Sequence, residues 1–185
     1  MIINQHAFTV KRLHYTIRSA VESDAERLSE LRAQIDGETE HMDRRGEALI
    51  DREGFIKIIK IDTNHPRNLF LVAEVDGRLA GYSRCASYEL KRFAHKVEFG
   101  LGVLKHFWGF GIGKKLMKKT ISWADTNGVK KIVLIVLNGV LETNKNAIEL
   151  YKKLGFEIEG LIKKDRILSD GKYYYYNVYL YDGQI

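Results

Sequence analysis

The chain has 185 residues, 45% apolar and 29% charged, with a formal net charge of +6 and a single cysteine, Cys85. This size and balance suit one folded domain, residues 1–185 with a core of about 15–181. They exclude an internal disulfide and a cysteine zinc site, and no run reaches the roughly 18 apolar residues of a membrane span. The start, Met1-Ile-Ile-Asn-Gln-His, lacks the layout of a signal peptide, so a cytoplasmic location is the expectation. The positive charge points to an anionic partner without choosing one.

In chain order, Tyr15–Arg18 reads as a first strand. Ser23 or Asp24 caps a helix to about Gln34, with Ala25, Leu28, Leu31 and Ile35 at helical spacing. Residues 36–46 are polar and read as a loop, and a second helix is expected over Glu47–Ile61. Leu69–Val75 alternates as a strand, Asp76-Gly77 is a hairpin turn, and Arg78–Tyr88 returns. Val97–Leu104 is the next strand, followed by a helix over residues 111–126. Lys131–Leu137 suits a strand buried on both faces. Asn144–Leu154 is a helix ended by Gly155, and Phe156–Lys163 and Lys172–Tyr181 pair around Asp170-Gly171. The order implies a mixed sheet with helices on both faces.

Two segments carry chemistry. In Trp108-Gly109-Phe110-Gly111-Ile112-Gly113-Lys114, alternating glycines lie between a strand and a helix start. A helix start offers unpaired N–H groups and a partial positive charge, and glycines let a phosphate approach them. Lys114 and Lys115 in the first turn, where the helix dipole disfavours cations, suggest a bound anion. The spacing fits neither a dinucleotide fingerprint nor a Walker loop. On the preceding strand Glu98, Gly100, Gly102 and Leu104 share one face, and its two glycines leave cleared space beside a carboxylate. That space suits either a ligand or a tightly packed helix. The second segment, Asn144 to Phe156, has Asn144 at an N-cap position and an inward stripe of Ala147, Leu150, Tyr151 and Leu154. Tyr151 is the one polar-tipped member of that stripe.

Trp108, Gly111 and Gly113, followed by Asn144, Ala147, Leu150, Tyr151, Gly155 and Phe156, resemble the paired motifs of the GNAT superfamily of acyl-CoA-dependent N-acyltransferases. The resemblance implies an α/β (α+β) fold with a mixed, mostly antiparallel sheet of about seven strands and helices on both faces. It implies that backbone from Gly109 through Phe110, Gly111, Ile112 and Gly113 to Lys114 holds the diphosphate of acetyl-CoA or coenzyme A. The strand Leu101-Gly102-Val103 would pair with the pantetheine amides, Asn144 would contact the cofactor, and Tyr151 would be the general acid. No metal is implied. Gly139 stands where some relatives carry a catalytic glutamate, and the tyrosines of residues 173–176 replace acids seen in small-amine enzymes.

The reaction then expected is direct transfer of an acetyl group to a primary amine. An alkyl ammonium, with a pKa of about 10.4, must lose a proton before it attacks. Glu98 is the favoured base, acting directly or through water, with His95 and His106 as alternatives. Cys85 as nucleophile has no obvious partner base. A non-catalytic acyl-CoA sensor or scaffold is the alternative function, and a nucleic-acid binder using tyrosines 173–176 is a third class. No nucleic-acid or membrane partner is expected, and a homodimer is compatible with the sequence. The acceptor, a small molecule or a peptide amine, stays open, with Glu38, Glu40 and Asp43 either attracting a cation or simply solvated.

Overall fold

A hairpin opens the chain: β1 (His6–Val10) turns through Lys11 and Arg12, both at positive φ, into β2 (Leu13–Ser19). The computed structural model describes residues 2–42, 46–134 and 140–183. β1 is absent from the expected elements because it is an edge strand with little buried surface, and its turn lacks the usual Asn-Gly signal. Next come α1 (Ala25–Glu38) and α2 (Arg52–Asn64). α1 outruns its predicted end near Gln34; Arg32 pairs with Asp36 one turn on, at 2.9 Å, and carries the helix forward. α2 starts later than predicted, since Ala48 sits at positive φ and Asp51 is the true cap, accepting from the Gly54 amide at 2.8 Å.

β3 (Leu69–Val75) and β4 (Arg78–Ser87) form the expected hairpin, with Asp76 and Gly77 both at positive φ. Then follow β5 (Lys96–Val103), α3 (Ile112–Thr126), β6 (Lys131–Leu134), β7 (Val140–Leu141), α4 (Lys145–Lys153), β8 (Glu157–Ile167) and β9 (Tyr173–Asp182). The rest of the predicted strand to Leu137, and Gly139, lie outside the described residues. Among the described residues the sheet has nine strands where about seven were expected, in the order β1-β2-β3-β4-β5-β6-β9-β7, with β8 on β9. The additions are β1 and the short β7.

Two cores flank this sheet. On one face Leu116 and Met117 of α3 and Tyr151 of α4 pack with Ile17, Leu71, Val97 and Phe99. On the other, Leu28, Leu31 and Ile35 of α1 and Phe55 and Ile59 of α2 cover Phe70, Val72 and Tyr82. Every strand pair is antiparallel except β5 with β6. Among the described residues that parallel pair meets over Lys96–Glu98 and Lys131–Val133. Beyond it β5 runs on through Val103, paired with β4 alone among the described residues. Among the described residues, then, the far edge of β5 is open beyond Glu98, and this split positions the site.

Candidate active site

The split exposes one edge of β5. The Leu104 amide donates to the Ala80 carbonyl on β4 at 3.0 Å. Backbone groups alternate sides along a strand, so those of Gly102 also face β4, while those of Leu101 and Val103 face the split. The Trp108 indole Nε1 donates to the Val103 carbonyl at 2.8 Å. Among the described residues that leaves the N–H and C=O of Leu101 and the N–H of Val103 as an open strand edge. Gly102 serves packing: a Cβ there would lie 2.8 Å from Tyr82 Cε1 and 3.1 Å from Ile35 Cδ1. Of the two glycines on the cleared face, Gly102 makes way for a ring, and Gly100 lines a cavity.

A cleft of about 600 Å³ runs along this edge to the start of α3. Its walls include Leu101, Gly102, Val103, Trp108 and Lys114 on one side and Asn144, Ala147 and Tyr151 on the other. Gly111 is the N-cap of α3 at φ 78°, and Gly109 precedes it at φ 81°. The first helical bond runs from the Lys115 amide to the Gly111 carbonyl, at 2.9 Å. Among the described residues the amides from Gly109 to Lys114 meet no acceptor. Six consecutive donors with a helix dipole behind them suit a diphosphate. Lys114 lines the cleft, whereas Lys115 Nζ lies over the Phe8 ring, 4.9 Å from its centroid. The first-turn lysines thus divide, with Lys115 stacked on a ring instead of facing an anion. Asn144 caps α4, its Oδ1 accepting from the Ala147 amide at 3.3 Å.

A second cavity of about 320 Å³ lies on the α1–α2 face. Arg32, Phe55, Tyr82, Arg84 and Glu98 line it, and Leu134 and Leu141 bound it across the split. Tyr151 and Asn144 line both cavities, so the tyrosine stands where they meet. Burial among Phe156 and Tyr179 pushes the Tyr151 phenol well above its ordinary pKa, Tyr179 adding to the effect. The phenol therefore keeps its proton at neutral pH. Its hydroxyl makes no hydrogen bond among the described residues. Glu98 accepts a hydrogen bond from the Tyr88 hydroxyl through Oε1. Tyr88 is pushed up to about 12, first by burial and then by that carboxylate.

Several functional residues were not singled out from the sequence. His41 lines both cavities, and burial holds its imidazole below the usual value, against an opposing pull from Glu40. It lies in the 36–46 stretch, which has no periodicity to orient it. Arg32 and Arg84 belong to a regular helix and strand, but which face would be concave is not written in that periodicity. His95 and His106, by contrast, are exposed and line neither cavity. Cys85 is buried, and burial followed by Asp62 raises its thiol pKa, which removes it as a nucleophile. Glu38 accepts from the Lys105 amide at 2.7 Å and Glu40 from the Ser169 amide at 3.0 Å, so both acids tie the loop down; Asp43 lies outside the described residues.

The chain is similar to several known proteins. The profile described as "Acetyltransferase (GNAT) family" matches residues 26–156, more than half the chain. Over 104 residues the chain is 36% identical to the L-amino acid N-acetyltransferase AaaT of Escherichia coli, covering 56% of this chain and 61% of that protein. Over 111 residues it is 33% identical to an acetyltransferase of Pectobacterium atrosepticum, covering 60% and 73% respectively. Among solved structures, a GNAT-family acetyltransferase from Streptococcus pneumoniae superposes with a TM-score of 0.86 at 24% identity, over 92% of this chain and 99% of that one. YncA from Salmonella typhimurium, solved with its cofactor acetyl-CoA, superposes with a TM-score of 0.80 at 20% identity, over 92% and 95%. The chain belongs to the GNAT family of acetyltransferases.

Proposed function

We propose that the protein is an acetyl-CoA-dependent N-acetyltransferase that acetylates a primary amine by direct attack, with Tyr151 as general acid. The observation that carries this is the position of Tyr151, a proton-bearing phenol that lines both a cleft with unpaired amides and a second, smaller cavity. The cleft fits the coenzyme: amides of residues 109–114 meet its diphosphate, and the free edge of Leu101 and Val103 meets its pantetheine as an added strand. The coenzyme supplies a thioester-activated acetyl group. The acceptor amine lies in the smaller cavity.

Glu98 draws the acceptor's ammonium into the smaller cavity and takes its proton, directly or through water. The freed nitrogen attacks the thioester carbonyl and forms the new C–N bond, and the C–S bond breaks as Tyr151 gives its proton to the leaving sulfur. The second proton, shed by the nitrogen as it becomes an amide, restores the phenol, and Glu98 releases the first to solvent, with no covalent enzyme intermediate. His41 is a second base, favoured by its place on both cavities and by an imidazole kept neutral by burial.

The test is Tyr151→Phe, assayed by CoA thiol release with a reactive amine. We expect kcat to fall about tenfold to a hundredfold, the scale of one general acid, with acetyl-CoA affinity by calorimetry unchanged. An unaltered kcat overturns the role. Calorimetry with no heat from CoA or acetyl-CoA overturns the cleft assignment. Coenzyme binding without turnover of any amine would leave the sensor reading in its place.

A further inference from the structure

We infer that the acceptor is a small amino acid, an amine that carries its own carboxylate, held by Arg32 and Arg84 with its apolar side chain against α2. This rests on the acetyltransferase reading above and narrows it.

The argument starts from where guanidinium N–H groups are spent. Arg32 gives its Nε to both Asp36 oxygens at 2.9 Å and its Nη1 to the Tyr82 hydroxyl at 2.6 Å. Arg84 gives its Nε and Nη2 to Asp62, at 2.5 and 3.0 Å. Nη2 of Arg32 and Nη1 of Arg84 have no partner among the described residues, and both arginines line the 320 Å³ cavity. The Arg32 side chain is only 10% exposed. Asp36 and Asp62 are buried and do not line the cavity. Each carboxylate thus anchors its guanidinium from behind, and the remaining donors turn to the ligand side. The Arg84 side chain is 34% exposed, so the spare N–H groups are open to an acceptor that enters the cavity, and a carboxylate is the acceptor a planar guanidinium fork matches best.

The register sets the opposite charge nearby. Arg84 lies opposite Gly100, and Glu98 opposite Ala86, on the same sheet face. Diagonal neighbours in such a pair sit roughly 7–8 Å apart, and Gly100 leaves the space between them without a side chain. Positive and negative ends therefore face one small volume, which matches a zwitterion. A polyamine or an aminoglycoside brings no carboxylate for the two guanidinium groups to grip. A peptide N-terminus has an amide carbonyl in place of the carboxylate and gives the guanidinium groups no charged acceptor. Ile50, Phe55, Ile58 and Phe70 supply the apolar wall for the side chain.

The experiment compares leucine, leucinamide, isobutylamine and spermidine, first as acceptors with acetyl-CoA and then by calorimetry on the full chain saturated with CoA. We expect leucine to exceed leucinamide in kcat/KM by tenfold to a hundredfold, the scale of one or two charge-assisted hydrogen bonds, with spermidine poorest. Arg84→Lys and Arg32→Lys keep the charge beside each buried aspartate and remove the fork, and should shrink the acid-to-amide ratio several-fold. Leucinamide or spermidine preferred over leucine overturns the proposal while leaving acetyl transfer intact. Should no amine turn over, leucine binding to the CoA complex upholds the carboxylate site and sinks the catalytic reading; no binding sinks the site.

Discussion

Gly111→Ala tests the amide cradle, because conformation and contact can be separated there. A Cβ at Gly111 would meet nothing nearer than Val10 Cγ1 at 3.8 Å and the Tyr15 hydroxyl at 3.9 Å, so crowding is not at issue. The backbone is: φ is 78°, a region that costs an L-residue about 1–2 kcal/mol. For a chain of this length, each 1 kcal/mol lowers Tm by about 2–4 °C, so a fall of about 2–8 °C is expected. The strain is relieved if the loop turns its amides away, and each charge-assisted bond to phosphate so lost weakens binding by about tenfold or more. Gly128→Ala is the control. Gly128 also has positive φ, 70°, and open space around it, but it follows the far end of α3. Calorimetry with CoA, run beside thermal unfolding, should show both variants melting lower and only Gly111→Ala binding more weakly. Equal CoA affinity in wild type and Gly111→Ala, or equal weakening in Gly128→Ala, would refute the assignment of the diphosphate to this loop.

Other predictions concern pH. Burial would raise the Asp24 carboxyl, but hydrogen bonds from Arg18, at 2.6 and 2.8 Å, and from the Val21 amide outweigh it, so its folded pKa lies below the usual carboxylate value. Its stabilisation is present above the unfolded pKa of about 3.9 and is lost as pH falls through the folded value. Asp24→Asn should cost about 3 kcal/mol in urea unfolding at pH 7, and the gap to wild type should narrow below about pH 4; a gap independent of pH would sink this account. The acid limb of kcat/KM discriminates the two bases. A His41 base, its imidazole held below the ordinary value of about 6.5, gives a limb beneath that pH which His41→Gln abolishes; a limb surviving in His41→Gln and lost in Glu98→Gln assigns the step to Glu98.

Much of this architecture was legible in the chain. Leu69–Val75, the Asp76-Gly77 turn and the Asn144 cap appear where periodicity and turn chemistry put them. The walls of the cleft proposed for the coenzyme were legible because they are local: a loop, the helix it opens, and one strand edge. The acceptor cavity was not, because it is assembled from residues far apart in sequence. Arg32 and Arg84 are held by Tyr82, Asp36 and Asp62, and only the folded sheet brings them to face Glu98. The same non-local packing explains Gly102, whose missing side chain answers to Tyr82 and Ile35. His41 escaped for another reason: the loop around it is tied by Glu38 to Lys105 and by Glu40 to Ser169, contacts that local pattern does not encode.

The split in the sheet also keeps the proposed acid and base apart. Glu98 projects to the α1–α2 face, being flanked by Val97 and Phe99, which pack into the opposite core. Tyr151 approaches from that opposite core, on α4. An intact sheet would seal one from the other, and a shared face would let the phenol and carboxylate bond directly and tie up both. Glu98 instead spends one oxygen on Tyr88 at its own end of the strand, and the Tyr151 hydroxyl has no hydrogen-bond partner among the described residues. A substrate spanning the gap is then the group that connects them, its nitrogen reaching the carboxylate side and the departing sulfur the phenol side. The two proton movements, one off the amine and one onto the thiolate, occur at separate ends of the reacting centre, and a parallel strand pair that parts after Glu98 provides that separation.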